Sequence, residues 1–489
     1  MAKFNTKNTS KSINKEGFTS YKVDSFKQRL VTMVINSMLK GDMFYQTEKQ
    51  RLQEIETEFK NNVDKYQEFI AKTIIYTRTQ ANLRSITHFL NILLTENVKG
   101  SSLVKNTIVR SALRPDDLTE TVALWNTRHP NTMIPNQLRK GIKICLEDKF
   151  DAYQLKKYFG NGSVKVPNLI MLAHPTPKDK EQEKMFKDAL EGKLPKIDTA
   201  QTVNAGTKGE DRAKMYKDML KNRKLGIMAL LKNLKNIIEA NDNTLDTETL
   251  GLILEYITNK NVIKNSKLLP IRFYQAYKSL NNIDMDIFVK GQLQDALETS
   301  FKYAGENIEI AKENERVAVL LDDSYSMEGT PFDNGVILTA SLVSTLNPKN
   351  VIGYLWANSA RRIKLDVNRP LRWVDRTRAN GGGTNLGGAI EELIRTKTVV
   401  DKLIIFTDNQ ENYFSRYGNF KESLKTYKKI SPNVKVLFWN LAGYNTGTPI
   451  KLSKDVLEVA GYSDKMLDVV SKIWEDKDAL IKEIENISL

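Results

Sequence analysis

Five side chains in three separate segments offer oxygen donors suited to one hard cation. The first segment is Asp322-Asp323-Ser324-Tyr325-Ser326-Met327, which follows the apolar run Arg316–Leu321. A D-x-S-x-S pattern in an extended stretch turns alternate side chains to one side, so Asp322, Ser324 and Ser326 face one point. The second segment, Gly381-Gly382-Gly383-Thr384-Asn385, puts three glycines before a threonine, which lets backbone approach closely. The third, Leu403-Ile404-Ile405-Phe406-Thr407-Asp408, ends an apolar run on a carboxylate. Divalent Mg2+, with Mn2+ or Ca2+ as alternatives, is held by such oxygens with waters completing the shell. The expected ligands are therefore Asp322, Ser324, Ser326, Thr384 and Asp408.

Other chemistry is conceivable for these residues. Asp322 and Asp408 could cap turns or helices without any metal. Asp322 could be a phosphatase-like nucleophile, but that chemistry usually wants a second acid two residues on, where this chain has Ser324. A metal-dependent hydrolase needs a general base. There is no histidine beyond residue 314, and Asp323 is expected to face away from the other donors. No catalytic residue is assigned.

The elements that must position these loops are legible in the same region. Arg316–Leu321, Val351–Trp356, Lys402–Phe406 and Val434–Trp439 read as buried strands, and Arg361–Asp366 as a short antiparallel edge strand. Residues 334–346, 386–396, 419–429 and 465–474 read as helices. Continuous apolar strands alternating with helices predict a mostly parallel, doubly wound α/β sheet. Ligands of such sheets sit at the carboxyl ends of the strands, where all three segments lie.

Before residue 315 the period changes. Ile86, Phe89, Leu90, Leu93 and Leu94 recur at helical spacing, as do Leu231, Leu234 and Ile238, and Leu250, Ile253, Leu254 and Ile257. Turn signals such as Arg114-Pro115-Asp116-Asp117, Asn161-Gly162-Ser163 and Asn241-Asp242-Asn243 divide the helices. Many short amphipathic helices predict an α-solenoid, an architecture with extended binding surfaces. The charged stretch 178–213 reads as an excursion between helices, and residues 1–24 as a disordered basic arm.

Charge and composition narrow the function. The chain of 489 residues carries +15. Residues 316–489 hold 24 Lys and Arg against 21 Asp and Glu, leaving 50 against 38, or +12, before them. A basic helical part suggests a polyanionic partner, although lysine-rich surfaces also simply keep proteins soluble. The single cysteine, Cys145, excludes an intramolecular disulfide and fits a reducing compartment; it is expected in the core. His88, His129 and His174 lie too far apart for metal-ligand spacing. No apolar run is long enough for a membrane span and no signal peptide opens the chain. A cytoplasmic, monomeric protein is expected. The Lys/Asn-leaning composition suggests a bacterial or phage source.

The D-x-S-x-S, glycine-threonine and strand-end aspartate set resembles the metal-ion-dependent adhesion site of von Willebrand factor A domains. The helical region is similar to the TROVE domain of Ro autoantigen proteins. Val31–Gly41 followed by Asp42-Met43-Phe44-Tyr45 and Lys49 resembles its opening. Met228–Leu234 and Lys267-Leu268-Leu269-Pro270 with Ile271–Tyr277 resemble later stretches. This resemblance implies a TROVE-like part over 25–314 and an A domain over 315–489. Together they would form a ring of HEAT-like repeats closed by the A domain. It further implies a non-catalytic scaffold in RNA quality control or decay. Y-like RNA would bind outside, single-stranded 3′ ends of misfolded noncoding RNA would enter the hole, and a 3′→5′ exonuclease is a possible partner.

The resemblance carries Arg139, Lys140, Lys156, Lys157 and His174 over as RNA-binding candidates. For the basic residues the alternative is a solvated helix face; for His174 it is a helix cap or a buried position. One departure is the turn Val164-Lys165-Val166-Pro167, where the family commonly has a second histidine. The competing functional class is a metal-dependent protein-binding module of the adhesion or assembly type.

Overall fold

The computed structural model describes residues 9–23, 25–36, 47–160, 162–194, 209–266, 268–306, 310–312, 314–364, 366–412, 414–442, 444, 447–461, 474, 476 and 478–489. Among them are 21 α-helices and eight strands. The chain divides into two compact units. One comprises residues 1–24, 39–48 and 199–477, the other 25–38, 49–198 and 478–489.

The second of these units is helical. The helices Val63–Thr79, Ser102–Ser111, Asn136–Asp148 and Val166–Ala173 pack each on the next, and Arg84–Asn97 packs on Pro115–Arg128. Each helix thus stacks on the one two places along, the arrangement of a solenoid of helix pairs. A buried ionic node ties three of these helices together. Asp117 accepts from Arg78 Nε and Nη2 at 3.1 and 2.9 Å, from Arg84 Nε at 3.1 Å, and from the backbone N–H groups of Leu113 and Arg114 at 3.0 and 3.1 Å. Arg78 and Asp117 are both 3% exposed. Burial disfavours the Asp117 carboxylate, but Arg78 and its neighbours outweigh that and hold the group below its ordinary range. Cys145 is buried in the core, which pushes its thiol up to about 12.

The other unit joins helices to the α/β domain. Six strands lie in the order β5-β4-β3-β6-β7-β8: Val317–Asp322 (β3), Val351–Trp356 (β4), Ala360–Arg362 (β5), Lys402–Thr407 (β6), Lys435–Asn440 (β7) and Val456–Ala460 (β8). All neighbours are parallel except β5, which runs antiparallel to β4 at the edge. The edge strand is three residues, shorter than the expected 361–366. Helices Leu386–Arg395 and Phe420–Tyr427 cover one face, where Leu320, Trp356, Ile390, Leu393, Ile405 and Phe438 share a core. Helix Thr330–Thr345 packs on β3 and β4, with Gly335 so close that an added Cβ would lie 2.5 Å from Leu321 Cδ1.

The winding reverses between β3 and β6, which are neighbours although β4 and β5 intervene in sequence. That crevice is where a doubly wound sheet binds ligands.

Three expectations are corrected. Residues 9–23 are not a disordered arm. They form an antiparallel hairpin, Thr9–Ile13 (β1) with Thr19–Val23 (β2), closed by the Asn14 side chain, whose Oδ1 accepts from Glu16 and Phe18 N–H at 3.1 and 2.8 Å. The compact units do not divide at 314/315, because helix Ile287–Gly305 packs directly on Thr330–Thr345. The stretch 178–213 is partly helical, as Lys180–Leu190 and Gly209–Lys221. The expected helix 465–474 and the Asp42–Tyr45 motif lie outside the described residues.

Candidate metal centre and basic surface

All five candidate ligands sit at the carboxyl edge of the sheet and all are buried, at 0–4% exposure. The apolar run of β3 delivers Asp322, and that of β6 delivers Asp408 one residue past its end. Thr407 Oγ1 donates to Asp322 Oδ2 at 2.7 Å, which ties the two strand ends. Asp322 Oδ1 accepts from Ser324 N–H at 3.0 Å, and the Ser324 and Ser326 hydroxyls lie 3.3 Å apart.

The glycine loop is bonded into the same corner. Gly381 N–H donates to Asp323 O at 3.0 Å, and Tyr325 N–H to Gly382 O at 3.2 Å. Thr384 is held from the other side by Asn412, whose Oδ1 accepts from Thr384 N–H at 2.6 Å and whose N–H donates to Thr384 O at 3.1 Å. Gly381 has φ +72°, and a Cβ there would meet the Tyr325 ring at 2.7 Å. Glycine at this position therefore meets both a backbone and a packing requirement. Asp323 points elsewhere, to an ion pair with Arg361 on the edge strand.

Two buried carboxylates share the corner. Burial and the charge of Asp408 push Asp322 well above the usual carboxylate range, and burial raises Asp408 to about 6. Asp408 Oδ2 is buried without a hydrogen-bond partner. An unpaired buried carboxylate oxygen is costly unless a cation joins it. Two carboxylates and three hydroxyls on three tied loops are a donor set that fits a hard divalent ion. Among the described residues no group of three or more His, Cys, Asp or Glu is arranged to hold a metal.

The basic candidates lie in the solenoid. Arg139 and Lys140 are exposed on helix Asn136–Asp148, Lys156 is half-buried, and Lys157 is exposed at the end of helix Ala152–Lys157. Lys157 Nζ lies 3.3 Å from Tyr153 Oη and stands over the rings of Tyr153 and Tyr158 at 5.3 and 5.4 Å. The Arg114 guanidinium lies 4.6 Å from the centre of the Tyr158 ring. Sequence reading missed Arg114 and Tyr153, whose only signal was their proximity in the fold. His174 caps helix Val166–Ala173 in the left-handed conformation, φ +48°, and is exposed, not buried. Lys143 Nζ bonds Thr176 Oγ1 at 3.1 Å, so the helix bearing Arg139 and Lys140 runs beside the segment that follows His174.

Residues 183–330 match the TROVE domain family model. The fold is similar to that of the Deinococcus radiodurans Ro (RSR) protein in its crystal structure, with TM-score 0.62 at 16% identity over 92% of this chain and 99% of that one. The chain has the fold of that Ro protein, and just under a third of it matches the TROVE model. No curated protein sequence matches it. The matched segment runs from the helix Lys180–Leu190 through β3 to the start of helix Thr330–Thr345. It therefore includes Asp322, Ser324 and Ser326. No described helix is long and apolar enough to cross a membrane.

Proposed function

We propose that the chain is a non-catalytic RNA-binding scaffold for noncoding RNA, acting in RNA quality control or decay in the cytoplasm. The observation that carries this reading is the TROVE match within a Ro fold. The cations of the solenoid, exposed except for the half-buried Lys156, support it. Arg139, Lys140, Lys156 and Lys157 offer phosphate contacts without sequence readout. Tyr153, beside Lys157, offers an exposed ring on which an unstacked base can lie. Y-like RNA on this outer face, loose 3′ ends in a ring hole and a 3′→5′ exonuclease partner belong to the same proposal.

In this reading the A domain binds one divalent ion, Mg2+ first, through Asp322, Ser324, Ser326, Thr384 and Asp408. Its role is to hold the three loops together. The orphaned Asp408 oxygen supports an ion there.

The test is replacement of Arg139, Lys140, Lys156 and Lys157 by Gln in the full chain. Binding to a structured RNA should weaken, and the slope of log K against log salt should shallow by about one for each phosphate contact removed. Unchanged affinity and slope would place the RNA surface elsewhere or remove it.

A further inference from the structure

The A domain carries one strongly basic stretch. Residues 361–378 hold seven Arg and Lys, at 361, 362, 364, 369, 372, 376 and 378, against Asp366 and Asp375. That is +5, whereas the rest of 316–489 holds 17 against 19, or −2. Three of these arginines converge. Arg369, Arg372 and Arg376, at the start and along helix Pro370–Arg376, line one cavity of about 550 Å³, with Tyr277 and Asn281 of helix Pro270–Asn281 and Gln294 of helix Ile287–Gly305 as further walls. That volume suits a small-molecule site. A second cavity of about 400 Å³ shares Arg369 with it and reaches Lys302. All of these residues belong to one compact unit.

The acids of the first cavity are engaged, while two of its cations are open. Asp295 faces Arg369 at 3.6 Å, and Asp375 Oδ2 accepts from Asn281 Nδ2 at 3.1 Å. Buried Glu298 uses both oxygens on the N–H groups of Leu371 and Arg372, at 2.6 and 3.0 Å. The short helix therefore offers the cavity side chains and not its first N–H groups. Arg372 and Arg376 are exposed, and among the described residues neither guanidinium has an ion pair or a hydrogen bond. Like charges four apart on a helix repel. Each guanidinium presents five donors in a planar fork that matches phosphate oxygens. An anion with several oxygens relieves the repulsion and fills the forks. Because the cations continue past Arg369 to Lys302, a chain of phosphates fits better than a single one.

We propose that these adjoining cavities bind an oligophosphate, the group shared by a nucleoside triphosphate and the 5′-triphosphate end of an RNA. Arg372 and Arg376 hold the phosphates, and Arg369 and Lys302 continue the row. The site uses none of the candidate metal ligands. It lies in the other compact unit from Arg139, Lys140, Lys156 and Lys157, so it stands independently of the RNA surface assigned to those residues.

Calorimetry on the full chain measures inorganic pyrophosphate binding to the wild type, to R372Q/R376Q and to K421Q/K425Q, a matched pair of exposed cations four apart on helix Phe420–Tyr427. The wild type should bind pyrophosphate. R372Q/R376Q should bind it roughly ten-fold or more weakly, the scale of one lost charge-assisted hydrogen bond, with the wild-type midpoint in urea unfolding. K421Q/K425Q should bind as the wild type does. No binding to the wild type, undiminished binding to R372Q/R376Q, or an equal loss in K421Q/K425Q would overturn the proposal, the last by showing that overall charge alone draws the anion. ATP and a short single-stranded RNA with a 5′-triphosphate are then compared with the same RNA ending in a 5′-hydroxyl. If the triphosphate RNA outbinds both, and R372Q/R376Q removes the difference, the site takes RNA ends. If ATP outbinds both RNAs, it takes a free nucleotide. RNA bound equally with either end, with no ATP binding, would again overturn the proposal.

Discussion

Replacing Asp117 by Asn should open the solenoid locally. One carboxylate oxygen, Oδ2, accepts four bonds, two from Arg78 and two from the backbone of Leu113 and Arg114, while Oδ1 accepts from Arg84. Asparagine can place its single acceptor at the four-donor position. Its NH2 group then faces Arg84 Nε, which Asp117 Oδ1 meets at 3.1 Å. Arg84 keeps Asp116 and Glu120, but Arg78, 3% exposed, is left with neutral acceptors, the asparagine oxygen and Asn82 Oδ1 at 3.0 Å, and loses its counter-charge. Breaking one side of a buried pair costs about 3–5 kcal/mol. Asp117→Ala should cost more, because the Leu113 and Arg114 N–H groups lose their acceptor at about 1–3 kcal/mol each. At about 1.4 kcal/mol per factor of ten, amide exchange across residues 63–128 should quicken by roughly two to three orders of magnitude in Asp117→Asn. Hydrogen exchange with mass spectrometry reads this directly. The pH dependence has a fixed sign. Because the folded Asp117 is held below its ordinary range, its contribution is complete above the unfolded value and is lost as pH falls through the folded one. Exchange in the variant within a few-fold of wild type would refute the claim that this node holds the three helices.

Further expectations concern the α/β unit and the core. Glu298, 4% exposed, accepts from the N–H groups of Leu371 and Arg372 at 2.6 and 3.0 Å, and burial raises it to about 7. The folded state therefore binds the extra proton between about 4.5 and 7, so stability falls as pH rises through that window. Glu298→Gln should flatten this slope in urea unfolding compared at pH 5 and pH 8; an unchanged slope would contradict it. Gly381→Ala places a Cβ in left-handed backbone against Tyr325, at roughly 1–2 kcal/mol for the backbone alone. Calorimetry should show weaker Mg2+ binding, and an unchanged affinity would detach the glycine loop from the site. Cys145, buried with its thiol at about 12, should resist maleimide labelling at pH 8 until the protein is denatured; rapid labelling of the native chain would contradict its place in the core.

The parts of the fold legible in the sequence are those that bury themselves locally. β3, β4, β6 and β7 are apolar runs covered on both faces, so their limits were readable within a residue or two. The Asp322 and Asp408 segments lie where two of those runs end, and the Thr384 segment precedes helix Leu386–Arg395. The hairpin was illegible because its strands are mainly Thr, Ser and Lys, and its anchoring groups lie on residues 410–414. Helix Pro370–Arg376 was missed for a similar reason. It has seven residues and is capped by Glu298, more than seventy positions earlier. The cation–aromatic group of Arg114, Tyr153, Lys157 and Tyr158 joins two helices, and no spacing in either one shows it. His174 was read as a choice between capping, burial and RNA contact. Its exposed left-handed cap satisfies the first, rejects the second and leaves the ring accessible for the third.

The central claim is that this chain binds RNA and selects loose ends, and the most direct measurement compares two RNAs. One is a duplex with a single-stranded 3′ tail and the other is the same duplex with blunt ends, each titrated against the full chain at several salt concentrations. The account predicts tighter binding of the tailed RNA, with affinity falling steeply as salt rises. Equal and weak binding to both would contradict it, and would leave the A domain as a metal-dependent docking module for protein.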